Sequence, residues 1–170
     1  MRPWVAALVT VGLDQLTKWI IRSSLAPQQS IPLLPGVLHL TYVRNTGAAF
    51  SLFRGQVAPL IVASGLVAGW IGWELLRRPR HAPPPHESLV GGHAGLSLNS
   101  LGLILGGAVG NLIDRLRFGY VEDFIDLRVW PVFNVADSAI TVGVTLLIWT
   151  SLFAARRQAT SDKRQVTTNK

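Results

Sequence analysis

Three aspartates, Asp114, Asp123 and Asp137, stand close together in the stretch Gly102 to Asp137, beside runs of apolar residues. A charge next to hydrocarbon is costly and needs a partner or a task. Asp123 lies in Val121-Glu122-Asp123-Phe124-Ile125-Asp126-Leu127-Arg128-Val129. If that segment is extended, Val121, Asp123, Ile125, Leu127 and Val129 share one face, and Glu122, Asp126 and Arg128 take the other with Phe124. Asp123 then reads as the one carboxylate on the apolar face, where burial would favour its neutral form. Asp137 follows Asn134 by three residues and precedes an apolar run. Asn-x-x-Asp in that position resembles a capping box, with Asn134 capping a helix and Asp137 in its first turn. The helix dipole there favours the ionised carboxylate.

Two carboxyls pushed in opposite directions form an acid/base pair of the kind aspartic proteases use. One takes a proton from water while the other donates to a carbonyl oxygen. No covalent intermediate is needed, which suits a chain without cysteine. Such a pair titrates jointly. Blander alternatives stand beside this one. Asp123 could simply pair with Arg115 or Arg117, and Asp137 could simply cap. Asp114 forms a cluster with Asn111 and Arg115 and competes with Asp123 for the role. Three histidines, His81, His86 and His93, lie in or beside one polar loop without metal-ligand spacing, so no metal site is expected.

The elements that must hold these groups are apolar. The 170 residues are 49% hydrophobic and 15% charged, with mean hydropathy +0.35; a soluble domain averages about one quarter charged. The apolar residues gather in four runs, which read as spans over about 3–21, 57–76, 94–113 and 136–155. In the first, Asp14 and Lys18 are spaced to pair on one helix face and read as packing residues. They also argue that this run is a retained span rather than a cleaved leader. In the third, Gly102, Gly106 and Gly110 line one face and allow close helix approach. Trp70 and Trp73 suit an interfacial belt near the end of the second. Between the first two spans, Val37 to Arg44 alternates as a strand, and Asn45-Thr46-Gly47 is turn chemistry. Phe50, Leu52 and Phe53 follow it as candidates to dip toward the interface.

The net charge of +7 comes without a basic stripe interleaved with aromatics, so no nucleic-acid partner is expected. Nine Lys and Arg flank the N-terminus, the Arg77 loop and the C-terminal tail, against six in the opposite loops. The positive-inside rule therefore places both termini in the cytoplasm and the aspartates at the outer face. The fold class expected is an all-α membrane protein: four transmembrane helices with a small extracytoplasmic β-rich element between spans 1 and 2. Residues 1–156 read as one domain and 157–170 as a polar, disordered cytoplasmic tail.

Five ordered segments resemble lipoprotein signal peptidase (signal peptidase II), a bacterial integral-membrane aspartic protease family. They are Asp14-Gln15-Leu16-Thr17-Lys18, Asn45-Thr46-Gly47-Ala48-Ala49-Phe50, Gly106 through Arg115, Val121-Glu122-Asp123-Phe124 and Phe133-Asn134-Val135-Ala136-Asp137. The resemblance implies that Asp123 and Asp137 are the catalytic pair. It places Asn45, Asn111, Arg115 and Asn134, with Gly47 and Ala136 of the same segments, around the site as binding or shaping residues. It implies mainly structural roles for Asp14, Lys18 and Asp114. It further implies cleavage of diacylglyceryl-modified prolipoproteins just before the lipidated Cys, in the inner membrane. No metal or cofactor is expected, and inhibition by globomycin is. The segment between Phe124 and Phe133 is shorter than in many members. A different class of reading, a small transporter or proton channel using carboxylates at membrane ends, would require repeats or helices broken at midplane depth. A scaffold, the third, would use the aspartates only to cap and pair.

Overall fold

The computed structural model describes residues 3–47, 57–77 and 91–168, the last segment with side chains over residues 98–152. Its elements are α1 (Pro3–Ser24), β1 (Ser30–Leu34), β2 (Leu38–Asn45), α2 (Val57–Arg77), α3 (Gly91–Phe118), β3 (Val121–Asp126) and α4 (Val135–Thr168). Phe50, Leu52 and Phe53, the loop bearing His81 and His86, and the side chain of His93 lie outside the described residues.

Among the described residues, three helices are long and apolar enough to cross a membrane: α1, α2 and Val135–Leu152 of α4. Their outward faces leave Leu8, Leu66, Trp70 and Trp149 exposed. Apolar surface on that scale is a lipid-facing pattern rather than a water-facing one. α3 is not among these candidates. It is the inner helix, packed against α1, α2 and α4. Toward α1 and α4 it carries glycines at the closest approaches, and toward α2 it carries bulky apolar side chains.

Glycine sets how close those helices come. A methyl group on Gly106 would lie 2.7 Å from both the Ala7 carbonyl oxygen and Thr10 Cβ, and one on Gly110 would lie 2.6 Å from Asp14 Oδ2. Gly102 meets the backbone of Pro3. The expected stripe of every fourth residue therefore faces α1. A second close approach was not expected: Gly107 meets the backbone of Ala136 on α4, and Gly143 of α4 meets Ser100 and Ile104. Behind the α1 seam, Ile71 and Leu75 of α2 pack with Ala7, Leu101, Ile104 and Leu105.

α3 and α4 both run past the ends read from hydropathy. α3 continues beyond Ile113 to Phe118, where Gly119 takes a left-handed φ of 77° and its N–H bonds the Arg115 carbonyl at 3.1 Å. That is a glycine C-terminal cap. α4 does not stop near Ala155 but continues to Thr168, through the tail read as disordered. No Gly or Pro interrupts that tail, and Ala154, Ala155, Arg156, Arg157 and Gln158 are good helix formers.

The three strands form one antiparallel sheet in the order β1-β2-β3. The β element is thus not built between the first two helices alone, since β3 comes from the α3–α4 connection. β1, which was not read as a strand from the sequence, contains Pro32. It is the sheet edge, where a residue lacking a ladder donor is tolerated. In β2 the expected alternation shows only around Tyr42, because residues 38–41 are all half-buried and the register against β3 shifts between Leu40 and Val43. Tyr42 is buried with Ile21, Leu25 and Phe124, and Leu40 packs against them. This small core seats the sheet on the end of α1, each side chain contributing about 1.5–3 kcal/mol on full burial.

Candidate active site

β3 and the start of α4 are joined by only a few residues, and that connection doubles back. Asp126 Oδ1 accepts the Arg128 N–H at 2.8 Å, and Arg128 takes a positive φ of 66°. The chain then returns so that Phe133 pairs antiparallel with Ile125, its N–H donating at 3.1 Å and its carbonyl accepting at 2.8 Å. Asn134 is thereby delivered to Asp123 on the neighbouring strand.

Asn134 is fully buried and serves both carboxylates. Its Nδ2 donates to Asp123 Oδ1 at 2.7 Å, and its Oδ1 accepts the Asp137 N–H at 2.9 Å. Asp137 Oδ2 in turn lies 3.3 Å from the Asn134 N–H. This is the reciprocal capping box read from the sequence. Asn45 Nδ2 donates to the other oxygen of Asp123 at 2.9 Å. Gly47 fixes that amide, because its N–H donates to Asn45 Oδ1 at 2.9 Å in an Asx turn.

Asn111 serves Asp137. Its Nδ2 donates to Asp137 Oδ1 at 2.7 Å, while its Oδ1 accepts from Lys18 Nζ at 3.0 Å and Asn134 Nδ2 at 3.1 Å. Lys18 can only donate, so the amide has one sensible orientation. The Lys18 ammonium also binds Asp14 at 2.8 Å and Asp114 at 2.7 Å, which satisfies its three protons. Both aspartates are buried, and Asp114 further accepts from Gln15 at 2.9 Å and from the Glu122 N–H at 3.2 Å. Asp14 Oδ1 accepts the Ala136 N–H at 3.0 Å. Of the polar residues expected to be structural, Lys18 is therefore two hydrogen bonds from Asp137, and Asp14 and Asp114 are three. Asp114, the competitor of Asp123, is held by Lys18, Gln15 and a backbone N–H instead of facing the cleft.

Asp123 and Asp137 line one cleft of about 780 Å³, together with Asn45, Gly47, Asn111 and Arg115. Asn134 and Ala136 lie beneath it, fully buried. Among the described residues, the hydrogen bonds to Asp123 come from the amides of Asn45 and Asn134 rather than from Arg115 or Arg117. Burial pushes its carboxyl up to about 7 from an ordinary 3.8, and the nearby charge of Asp137 adds to the rise against the pull of Asn45, Asn134 and Lys18. Arg115 brings the positive field, acting on Asp137, Asp123 and Asp114.

One expectation fails. Asp123 is not the one buried carboxylate of its segment, because Glu122 and Asp126 are buried as well. β3 is covered on both faces. Glu122 is ion-paired with Arg22 from the end of α1 and accepts from the Tyr42 hydroxyl at 2.7 Å; Asp126 accepts from Thr41 at 2.8 Å. Strand alternation cannot register a partner arriving from another element. The apolar cleft wall of Trp130, Phe133 and Ile140 was also missed. Only the aromatic character of the short connection hinted at it.

A family model described as Signal peptidase (SPase) II matches residues 6–153. A lipoprotein signal peptidase of Moorella thermoacetica is 47% identical over 152 residues, 89% of this chain and 93% of that one. Another, of Halothermothrix orenii, is 39% identical over 145 residues, 85% of this chain and 91% of the relative. A solved structure described as a bacterial membrane enzyme superposes with a TM-score of 0.76 at 29% identity, covering 90% of this chain and 88% of that one.

Proposed function

The chain belongs to the signal peptidase II family, and from that premise we propose that it is a membrane-embedded aspartic endopeptidase that removes signal peptides from lipoprotein precursors. The observation that carries the mechanism is the pair Asp123 and Asp137, lining one cleft and joined through Asn134 and Asn111.

Asp123 holds a proton near neutral pH because it is buried beside a second carboxylate. Asp137 acts as the base. It takes a proton from a water as the water oxygen attacks the scissile carbonyl carbon, while Asp123 donates its proton to the carbonyl oxygen. The tetrahedral intermediate collapses as Asp137 gives its proton to the departing amine and Asp123 recovers one from the intermediate's hydroxyl. The C–N bond breaks, one water is consumed, and both carboxyls return to their starting states. Arg115 steadies the negative charge of the pair, and Asn45 and Asn134 hold Asp123 in register.

The substrate is a diacylglyceryl-modified prolipoprotein cut before its lipidated Cys, and globomycin is the expected inhibitor. α3 is the fourth span, surrounded by the other three. Both termini lie in the cytoplasm and the cleft opens at the outer face of the inner membrane, in keeping with the Lys and Arg bias. Family membership disfavours the transporter or channel reading.

The test uses purified Asp123→Asn and Asp137→Asn proteins with a diacylated precursor. Each folded variant is expected to lose activity by roughly 10²–10⁴-fold, the range for a positioned acid or base. Near wild-type cleavage by either would remove that residue from the mechanism.

A further inference from the structure

A second groove adjoins the polar cleft. Its volume is about 410 Å³, and Leu127, Trp130, Ser138 and Val142 line it together with Phe133, Asp137 and Thr141. Trp130, Phe133, Asp137 and Thr141 belong to both. The two aromatic rings therefore form a partition, and the spaces on either side of it meet at Asp137.

The two hydroxyls on the wall of the second groove are already taken. Ser138 Oγ donates to the Asn134 carbonyl at 2.9 Å, and Thr141 Oγ1 donates to the Asp137 carbonyl at 2.9 Å. Both hydroxyls are turned onto their own helix. A peptide lying here would leave its own N–H and C=O groups unmet, at substantial cost. An alkyl chain has no such groups. The groove also continues onto the exposed side of α4, where Val142 and Trp149 are half or more exposed and face the region hydrocarbon would fill. Because the groove ends on Asp137, its occupant lies beside the reacting bond, so it belongs to the substrate rather than to the bulk lipid.

We propose that this groove seats one acyl chain of the lipid carried by the precursor's modified residue, with the Trp130–Phe133 partition separating that chain from the polypeptide in the polar cleft. The proposal rests on the lipoprotein-cleaving reading above. It accounts for a cut placed next to a lipidated residue: polypeptide and lipid diverge at the partition, and Asp137 sits where they part. The chain arrives from the bilayer rather than from water, so its burial adds little affinity. Its contribution is orientation of the bond to be broken.

A precursor carrying a photoreactive diazirine midway along one acyl chain tests this with the wild-type protein in lipid vesicles. Cleavage is followed in the dark, and crosslinks formed on illumination are mapped by mass spectrometry. The expected result is cleavage together with crosslinks on the peptides containing Trp130 or Ser138 and Val142. Val142→Trp, which narrows the groove from its exposed side on α4, is expected to lose those crosslinks and to lower kcat at least tenfold with KM within about twofold. Cleavage with crosslinks confined to α2 or to the sheet would overturn the groove assignment while leaving the function intact. Full activity in a folded Val142→Trp protein would do the same. A wild type that does not cleave the precursor would overturn the function and the groove together.

Discussion

Asp123 is placed by three decisions at the level of single side chains: burial in β3, an amide from Asn45 and an amide from Asn134. Its raised carboxyl has a consequence for pH. The folded state holds the Asp123 proton more tightly than the unfolded chain, so the associated stability is fully present below about 3.8 and is lost as pH rises through about 7. Asp123→Asn removes that loss, so the variant should gain on the wild type across this window, by on the order of 4 kcal/mol at full effect. Thermal unfolding of both proteins in detergent between pH 4 and 8 measures it; parallel curves would show that Asp123 does not titrate there. Cleavage by the wild type should fall as pH rises above about 7, when the proposed acid loses its proton. Lys18 gives a second expectation. It neutralises Asp14 and Asp114 inside the bundle, and Lys18→Met leaves both charges without a counterion. A loss of about 3–5 kcal/mol is the usual result of breaking a buried pair from one side, read as a lower unfolding midpoint.

Among the elements, the α3–α4 contact and the N-terminus of α4 bear directly on the pair. Gly107 lies against the Ala136 backbone, one residue before Asp137. Gly107→Leu must push α4 outward there, with a cost of at least about 1–3 kcal/mol for an overpacked site. Activity should fall further than stability, because Asp137 moves with the helix. Asn134 separates capping from chemistry. Asn134→Asp keeps a good cap but places a third carboxylate between two others, so it should retain helix α4 and lose cleavage. Asn134→Ala loses the cap as well, about 1 kcal/mol of it, and leaves amide-bonded groups unmet. Circular dichroism with a cleavage assay distinguishes the two variants.

At the scale of the whole molecule, the buried network runs from Asp14 on α1 through Lys18 and Asn111 to the capped start of α4. The sheet is clamped to the same end of α1 by Arg22–Glu122 and the Tyr42 core. Site and sheet therefore share one end of the bundle, and that end is proposed to face outward. The chain has no cysteine, so single-cysteine labelling is clean. Cysteine at Pro35, exposed at the β1–β2 turn, should react with a membrane-impermeant reagent applied to intact spheroplasts. Cysteine at Thr168 should react only after lysis. The reverse pattern would invert the proposed topology.

What was readable from sequence alone was whatever local spacing encodes. The i,i+4 pair Asp14 and Lys18, the glycine stripe toward α1, the Asn134–Asp137 box and the alternation around Tyr42 depend on neighbours within a turn or a strand, and each has its counterpart in the structure. What depended on partners distant in the chain was not readable. Glu122 was read as facing away from the apolar side, because the arginine that buries it arrives from residue 22. The strand around Pro32 went unread, and it stands at a sheet edge, where a missing ladder donor is tolerated. Asp114 competed with Asp123 on local pattern, and only the structure shows Lys18 and Gln15 holding the one and two amides holding the other at the cleft. Periodicity reports which face a side chain leaves from; only packing decides what waits there, and a carboxylate's chemistry is set by that neighbour.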